Sequence, residues 1–249
     1  MPLLSKRDLW RVAWRSTLLQ ATWNYERQQG IGWAYAFQPV LERLYPDPSL
    51  RRERLAEHTA YFNTQPTLAS LALGAVAGLE EQRAAGVGPD ADGIARVKGV
   101  LGSALAAIGD RLFWFTLRPF AAALGVWFAA AGSPYGALAL WLCYNTVHLT
   151  LRLGGVGLGY REGPAVLGGT LRARLEGLVR RIGILGASLL GIVVAVLLVP
   201  HGTPRPMVWQ ACLIGGLLFG LLTTLRSRPS PTQWALGLGV LCVIAGWRR

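Results

Sequence analysis

Four adjacent residues, Trp23, Asn24, Tyr25 and Glu26, combine two aromatic rings with an amide and a carboxylate. Amides and carboxylates hydrogen-bond with hydroxyl groups, and an aromatic ring can cover the apolar face of a sugar ring. This combination predicts a binding site for a polyhydroxy ligand. The alternative is that each polar group makes a hydrogen bond between helices or lies at a membrane interface.

Further polar residues interrupt segments that are otherwise apolar. They are Gln20, Asn63, Gln65, Asp110 and Arg118. An ionisable group at the centre of a bilayer costs about 2.5–3.5 kcal/mol on insertion scales, so it usually has a partner or a function. These residues are therefore further candidates for contact with a ligand or a partner subunit.

The composition of the 249-residue chain indicates a membrane protein, because 52% of its residues are hydrophobic and only 15% are charged. Its mean hydropathy is +0.36, whereas a soluble domain carries about 25% charged residues. The net charge of +12 comes from Lys and Arg that lie between apolar blocks. Basic loops between apolar spans are retained on the cytoplasmic side of a membrane. Because membrane topology explains the positive charge, we expect no binding to nucleic acid.

Apolar segments in the second half of the chain predict about five membrane-spanning helices. They are Leu112–Gly132, Pro134–Leu151, Ile182–Val199, Met207–Leu225 and Thr232–Trp247. Residues 152–181 contain six arginines and two glutamates, which predicts a basic cytoplasmic loop. Counting crossings from this loop places the amino terminus in the cytoplasm and the carboxyl terminus outside.

Residues 1–62 predict amphipathic helices. Ser5 and Asp8 have the spacing of a capping box that opens the first helix. Basic residues and tryptophans then recur every four positions on separate faces, which is typical of a helix lying in the plane of a membrane interface. The alternative is an amphipathic helix that docks on a partner protein.

Residues 63–111 contain two apolar segments that are too short for ordinary membrane spans. The first would be capped by Thr64 and end near Leu79, and the second runs from Gly99 to Gly109. Apolar segments of about 10–14 residues indicate re-entrant or protein-buried helices. We therefore predict an all-α integral membrane protein, in which a short helical hairpin at 63–111 precedes a transmembrane region at 112–249.

Several short motifs follow one another along residues 5–165. They are Arg15-Ser16 with Leu19–Arg27, His58 with Tyr61–Pro66, Glu80-Glu81, Lys98 with Ile108–Pro119, and Gly159-Tyr160 with Gly163. In this order they resemble the IID subunits of the mannose/fructose/sorbose family of bacterial sugar phosphotransferase systems (PTS). The sequence departs from the family pattern at three places. Gln65 replaces a histidine, Arg111 replaces a small serine, and Ser103–Ala107 replaces a glycine-proline-leucine-alanine-glycine run.

The resemblance implies that the chain works beside a IIC membrane subunit in the bacterial inner membrane. Together they would form the uptake path of a hexose-type sugar, which phosphorylated IIB, supplied by IIA, then phosphorylates. The expected partners are therefore IIC, IIB and IIA in an oligomeric complex, the sugar and the lipid bilayer.

Polarity and motif position assign roles within this scheme. The residues expected to contact sugar or partner are Trp23, Asn24, Glu26, Asn63, Gln65 and Asp110. Lys98 and Arg118 are expected to flank a cytoplasmic entrance where phosphorylated IIB approaches. The alternative function, suggested by Gln65 and Arg111, is a non-transporting membrane scaffold or sensor that retains the IID fold.

We predict no catalytic or phosphorylated residue, no metal and no cofactor in this chain. The three histidines stand apart without a base–nucleophile partner at motif spacing, and the three cysteines are far apart. His58 is expected to be solvated or to cap its charged helix. Glu80 and Glu81 are expected to make interfacial or inter-subunit contacts, and the run Gly154–Gly159 is expected to form a bend.

Overall fold

The computed structural model describes residues 3–198, which form helices joined by turns, with two isolated β-bridges. The α-helices are α1 Lys6–Arg15, α2 Gly30–Leu44, α3 Pro48–His58, α4 Ala69–Ala84, α5 Ala91–Leu112, α6 Arg118–Ala130, α7 Gly136–Glu162 and α8 Gly169–Leu198. Short 3-10 turns lie at Ser16–Leu18 and Gly163–Leu167, and a π-helical turn lies at Phe113–Leu117. The predicted all-α class is confirmed. The predicted spans Met207–Leu225 and Thr232–Trp247 lie outside the described residues.

The described chain divides into two compact units that do not follow chain order. One comprises residues 3–115 with 141–179, and the other comprises 116–140 with 180–198. The sequence-based division at residues 62 and 111 differs from this, because the carboxyl-terminal part of α7 packs back on α4. Such long-range packing leaves no mark on local composition.

Helix α1 begins as the sequence predicts. Ser5 and Asp8 form the capping box, with the Ser5 side chain accepting from the Asp8 N–H. Val12 and Ala13 are buried, whereas Trp10 and Trp14 remain 54% and 63% exposed. The helix therefore uses a small-residue face for packing within the chain and presents its tryptophans outward, as either an interfacial or a docking helix requires.

The predicted hairpin is formed by α4 and α5, but its second arm is longer than expected. Helix α5 extends over 22 residues from Ala91 to Leu112 and passes through the π-helical turn into α6. The predicted boundary at residue 111 thus lies where α5 gives way to the π-helical turn. Pro119 does not interrupt the run because it lies in the first turn of α6, where its missing N–H is tolerated.

The glycine run in α7 continues the helix instead of forming the predicted bend, because it packs closely against α4. A Cβ atom on Gly159 would lie 2.0 Å from the Leu71 carbonyl oxygen, and one on Gly74 would lie 2.0 Å from the Val156 carbonyl oxygen. Small residues allow two helix backbones this close an approach. Residues 152–181, predicted to form a basic loop, are therefore mostly helical. The connection between α7 and α8 is a short segment around Gly163–Leu167.

Two helical segments within residues 3–198 are long and apolar enough to cross a membrane. They are Ala91–Ala130 and Thr170–Val194. The first combines α5 with the predicted span that begins at Leu112, and the second contains most of the span predicted from Ile182. Helix α6 ends at Ala130 and Gly132 has a φ of 77°, so a turn separates the apolar segments that were predicted to end at Gly132 and to begin at Pro134.

Candidate functional site

Hydrogen bonds around the buried side chain of Gln29 hold three segments together. Its Nε2 donates to the Thr64 carbonyl at 2.7 Å, and its Oε1 accepts from the Thr64 N–H at 3.2 Å. The Thr64 hydroxyl donates to the Gly102 carbonyl of α5 at 2.8 Å, so it does not cap α4 as predicted. The loop 20–29 and the segment 60–65 therefore meet on α5, which brings together the segments that carry the predicted site residues.

Asn24 shapes the loop to which it belongs. Its Oδ1 accepts from the Arg27 N–H at 2.8 Å, and its Nδ2 donates to the Thr22 carbonyl at 3.3 Å. Gln28, further along, has a φ of 52°, which is uncommon for a residue other than glycine. The Asn24 side chain thus has a structural role in this turn, and its contact with a ligand stays a prediction.

Gln65 occupies a well-defined position at the start of α4. Its side chain is buried, and its Oε1 accepts from the backbone N–H groups of Thr67 at 2.8 Å and Leu68 at 3.0 Å. These are donors that lack helical partners at a helix start. A Cβ atom on Gly109 of α5 would lie 2.5 Å from the Gln65 Cβ, so Gln65 lies beside the residue that precedes Asp110.

The other predicted contact residues differ in exposure. Trp23, Glu26, Asn63 and Arg118 are exposed, and Asp110 is half-buried. The Trp23 ring packs edge-on against Tyr25, with their centroids 4.9 Å apart. Within residues 3–198, no hydrogen bond or ion pair joins Asn24 or Glu26 to Asp110. Trp23, Asn24 and Glu26 therefore lie in the loop 20–29, whereas Asn63 lies in the segment 60–65, Asp110 in α5 and Arg118 in α6.

Lys98, which the sequence analysis places at a cytoplasmic entrance, is buried in this structure. Only 5% of its surface is exposed. Its Nζ donates to the His58 carbonyl at 3.0 Å and lies 4.7 Å from the centroid of the Trp33 ring, a distance typical of a cation–π contact. In this conformation the ammonium group joins α5 to α2 and α3.

A polar contact that the sequence analysis missed joins the start of α4 to α7. Thr67 Oγ1 and His148 Nδ1 lie 2.8 Å apart, and Gln65 Nε2 donates to the same hydroxyl at 3.4 Å. The imidazole also packs against the rings of Phe113 and Tyr144. His148 stood alone in the sequence because its partner is 81 residues away. Thr67 and His148 therefore join the candidate residues.

A group of buried and partly buried charges, the Glu80 cluster, comprises Tyr45, Glu57, His58, Glu80 and Arg83. The Tyr45 hydroxyl donates to Glu80 Oε2 at 2.6 Å, and Arg83 donates to Glu80 at 3.2 Å and to Glu57 at 2.6 Å. His58 Nε2 lies 3.3 Å from Glu80 Oε1 but is poorly aligned for a hydrogen bond. The cluster connects the end of α2 with α3 and α4.

The structure corrects the expectation that His58 is solvated, and it gives Glu80 and Glu81 partners within the chain. His58 is 2% exposed and Glu80 is fully buried, so neither is solvated. His58 Nδ1 accepts from the Trp33 Nε1–H at 3.3 Å, which places the proton of a neutral imidazole on Nε2. Glu81 accepts from the Tyr160 hydroxyl of α7. Both glutamates therefore make contacts within the chain, with partners that are distant in sequence.

Burial and charge compete in setting the protonation of the cluster. Burial lowers the pKa of His58, because an imidazolium is costly away from water, and the neighbouring Glu80 only partly opposes this effect. Burial would raise the pKa of Glu80, but contacts with His58, Tyr45 and Arg83 outweigh it and lower that pKa. The pKa of Glu57 is also lowered, because hydrogen bonds from Arg83 and Arg54 outweigh its burial.

The stability of the chain is expected to fall on acidification. A histidine whose pKa is lowered in the folded state stabilises the fold at pH values above its unfolded-state pKa of about 6.5. This contribution is lost as the pH falls. Carboxylates whose pKa values are lowered in the folded state stabilise the fold at pH values above their unfolded-state pKa of about 4.3. This contribution is lost at lower pH. Apparent melting temperatures of the full chain in mild detergent, measured from about pH 8 to pH 3, should therefore decline in two stages.

The matched variant for this prediction is His58→Gln, which removes the titrating group of the first stage. Its melting temperature should depend less on pH than that of the unchanged chain between about pH 7 and pH 5, and equally below that range. Parallel profiles between pH 7 and pH 5 would show that burial of His58 contributes nothing to the pH dependence.

Comparison with known proteins defines the class of this protein. The sequence pattern of the PTS system mannose/fructose/sorbose family IID component matches residues 3–205. The PTS system mannose-specific EIID component of Escherichia coli (strain K12) is 39% identical over 77% of this chain and 66% of that protein. The match thus spans just under two thirds of that relative. The PTS system sorbose-specific EIID component of Klebsiella pneumoniae is 36% identical over 96% of this chain and 87% of that protein.

Solved structures give the same result. A chain in the structure of "Mannose Transporter ManYZ and Microcin E492 (MceA) complex" is 33% identical and has a TM-score of 0.63, with 100% of this chain and 98% of that chain covered. Another, titled "Structure of membrane protein", is also 33% identical and has a TM-score of 0.71 over 98% and 97% of the two chains. Fold and comparisons together define a helical membrane component of a sugar phosphotransferase system. The chain belongs to the mannose/fructose/sorbose family of PTS IID components.

Proposed function

We propose that this chain acts with a IIC subunit to form the uptake path of a hexose-type sugar, which phosphorylated IIB then phosphorylates. Family membership over residues 3–205 carries this proposal. The named relatives are specific for mannose and for sorbose, and a structural relative belongs to a mannose transporter complex. Both sugars carry several hydroxyl groups. The uptake path therefore requires side chains that form hydrogen bonds with them.

The membrane arrangement we propose has about five spans, with the amino terminus in the cytoplasm and the carboxyl terminus outside. The candidate spans Ala91–Ala130 and Thr170–Val194 support it in part. Helix α4 has only 16 residues and would reach about 24 Å, less than a hydrocarbon core of about 30 Å. This length supports a re-entrant role for α4, paired with α5.

The sugar or partner contacts are assigned to Asn24, Glu26, Asn63 and Asp110, with Trp23 in support. The hydrogen bonds of Gln29 and Thr64 support this assignment, because they join the three segments that carry these residues. Gln65 supports the site by holding the turn that precedes α4, and Arg118, which is exposed, is assigned to the cytoplasmic entrance.

Uptake measured in a working complex tests the site. Asp110→Asn and Asn24→Ala should each lower the rate of sugar uptake by about fivefold to tenfold, the effect of losing a hydrogen bond worth about 1–1.5 kcal/mol. Asp92→Asn is the matched control for Asp110, because it makes the same change at an exposed position on α5. Uptake that is unchanged in both site variants, at equal protein levels, would remove these residues from the site.

Co-purification tests the function itself. The full chain, extracted from native membranes in mild detergent, should be recovered with a stoichiometric IIC subunit that mass spectrometry identifies. Recovery without IIC would contradict the transport proposal and favour the alternative, a membrane scaffold or sensor that retains the IID fold.

A further inference from the structure

An apolar groove runs between α1 and the carboxyl-terminal part of α7. Its volume is about 450 Å³, and its lining includes Leu9, Trp10, Leu153, Gly154 and Gly157. A Cβ atom added to Gly154 or Gly157 would meet no atom within 4 Å. These two glycines therefore leave the α7 side of the groove open, in contrast to the glycines of α7 that pack against α4.

Two cationic side chains border the groove. Lys6 of α1 and Arg161 of α7 belong to its lining, and both residues are exposed. Arg161 Nε donates to the Gly157 carbonyl at 3.3 Å, and its terminal NH2 groups make no hydrogen bond within the described residues. Within residues 3–198, neither Lys6 nor Arg161 forms an ion pair. The groove thus combines an apolar channel with two cations that lack a counter-ion in the described chain.

Glu81, whose hydrogen-bond partners line the groove, forms no ion pair with either cation within the described residues. Glu81 accepts hydrogen bonds from the backbone N–H of Leu4 at 2.7 Å and from the Tyr160 hydroxyl. Leu4 and Tyr160 also line the groove, so Glu81 fixes the position of its walls. With this carboxylate held by other donors, an anion from outside the chain is the natural partner of Lys6 and Arg161.

We propose that this groove binds an anionic glycerophospholipid, with an acyl chain along the apolar channel and the headgroup phosphate on Lys6 and Arg161. Charge complementarity is the argument, because ammonium and guanidinium groups beside an apolar channel match a phosphate attached to a hydrocarbon chain. The exposed, amphipathic surface of α1 favours the same occupant. The proposal rests on the membrane location of the family, and it is independent of sugar transport.

Native mass spectrometry of the delipidated full chain, with phosphatidylglycerol or phosphatidylcholine added, tests the proposal. We expect phosphatidylglycerol to bind at least tenfold more tightly than phosphatidylcholine. The double variant Lys6→Gln, Arg161→Gln should lose this preference. The double variant Arg96→Gln, Arg174→Gln should retain it, because it removes the same charge from exposed positions away from the groove.

A second variant separates the lipid from other occupants. Gly157→Leu fills the groove without changing its charge and should also weaken phosphatidylglycerol binding by about tenfold. Glycerol 3-phosphate, which has the phosphate but no acyl chain, should not compete. Effective competition by glycerol 3-phosphate would reduce the groove to a simple anion site and overturn the proposal.

Two further outcomes would also overturn it. One is binding of phosphatidylglycerol that is equal in all variants. The other is unchanged lipid binding by Gly157→Leu together with loss of a co-purified membrane subunit, which would assign the groove to a protein partner. Because lipid binding is measured without transport, a failure of sugar uptake alone would contradict the proposed function and leave this inference intact.

Discussion

Gly159→Ala should destabilise the protein strongly, although it adds a single methyl group. The new Cβ would lie 2.0 Å from the Leu71 carbonyl oxygen and 3.1 Å from the Ala75 nitrogen. Both are backbone atoms of α4, so no side-chain rotation can relieve the overlap and the two helices must separate. Overpacking of this kind costs about 1–3 kcal/mol or more. The measurement is the folded fraction after extraction, followed by size-exclusion chromatography, and the apparent melting temperature.

The matched control for this prediction is Gly157→Ala, two residues earlier in the same helix. Its Cβ would meet no atom within 4 Å, and alanine is favoured over glycine in a helix by about 0.5–1 kcal/mol. We therefore expect this variant to be as stable as the unchanged chain or slightly more stable. If both variants lost stability equally, close packing of α4 on α7 would not be the reason for glycine at position 159.

The second large effect is expected from Glu80→Ala, which removes the centre of the Glu80 cluster. The change leaves the Tyr45 hydroxyl without its acceptor and removes a carboxylate that contacts His58 and Arg83. Removal of one partner from a buried charged pair typically costs about 3–5 kcal/mol. The apparent melting temperature at neutral pH should therefore fall well below that of the unchanged chain.

Two comparisons show whether this loss comes from the buried contacts. Tyr45→Phe removes one hydrogen bond to Glu80 and should cost about 1 kcal/mol. Glu53→Ala removes an exposed carboxylate whose side chain is 64% accessible, and it should change stability by less than about 0.5 kcal/mol. An unchanged melting temperature in Glu80→Ala would contradict a stabilising role for the cluster.

The candidate site could be predicted from sequence only as a set of segments. Asn24, Asn63 and Asp110 attracted attention because polar residues are rare in apolar surroundings, and their segments do meet on α5. Gln29, which joins two of these segments, gave no such signal, because a single glutamine near a helix start is common. Thr67 and His148 were also missed, since a polar pair between distant segments has no local pattern.

Burial was the property that sequence reasoning judged least well. Lys98, His58 and Glu80 belong to charged or mixed segments, where solvent exposure is the usual outcome. In the structure they are buried because each finds partners on another helix, including the Trp33 ring for Lys98 and the Tyr45 hydroxyl for Glu80. Such compensation depends on which helices pack together.

The sequence by itself determined the all-α class, the membrane setting, the capping box of α1 and the family. Each of these follows from local composition, short-range spacing or ordered motifs. Only the tertiary structure decided that α4 packs on the glycine face of α7, that α5 continues into α6, and that buried charges connect α2, α3 and α4. The reason is that helix contacts depend on the fit of surfaces brought together from distant parts of the chain, whereas helix formation depends on neighbouring residues.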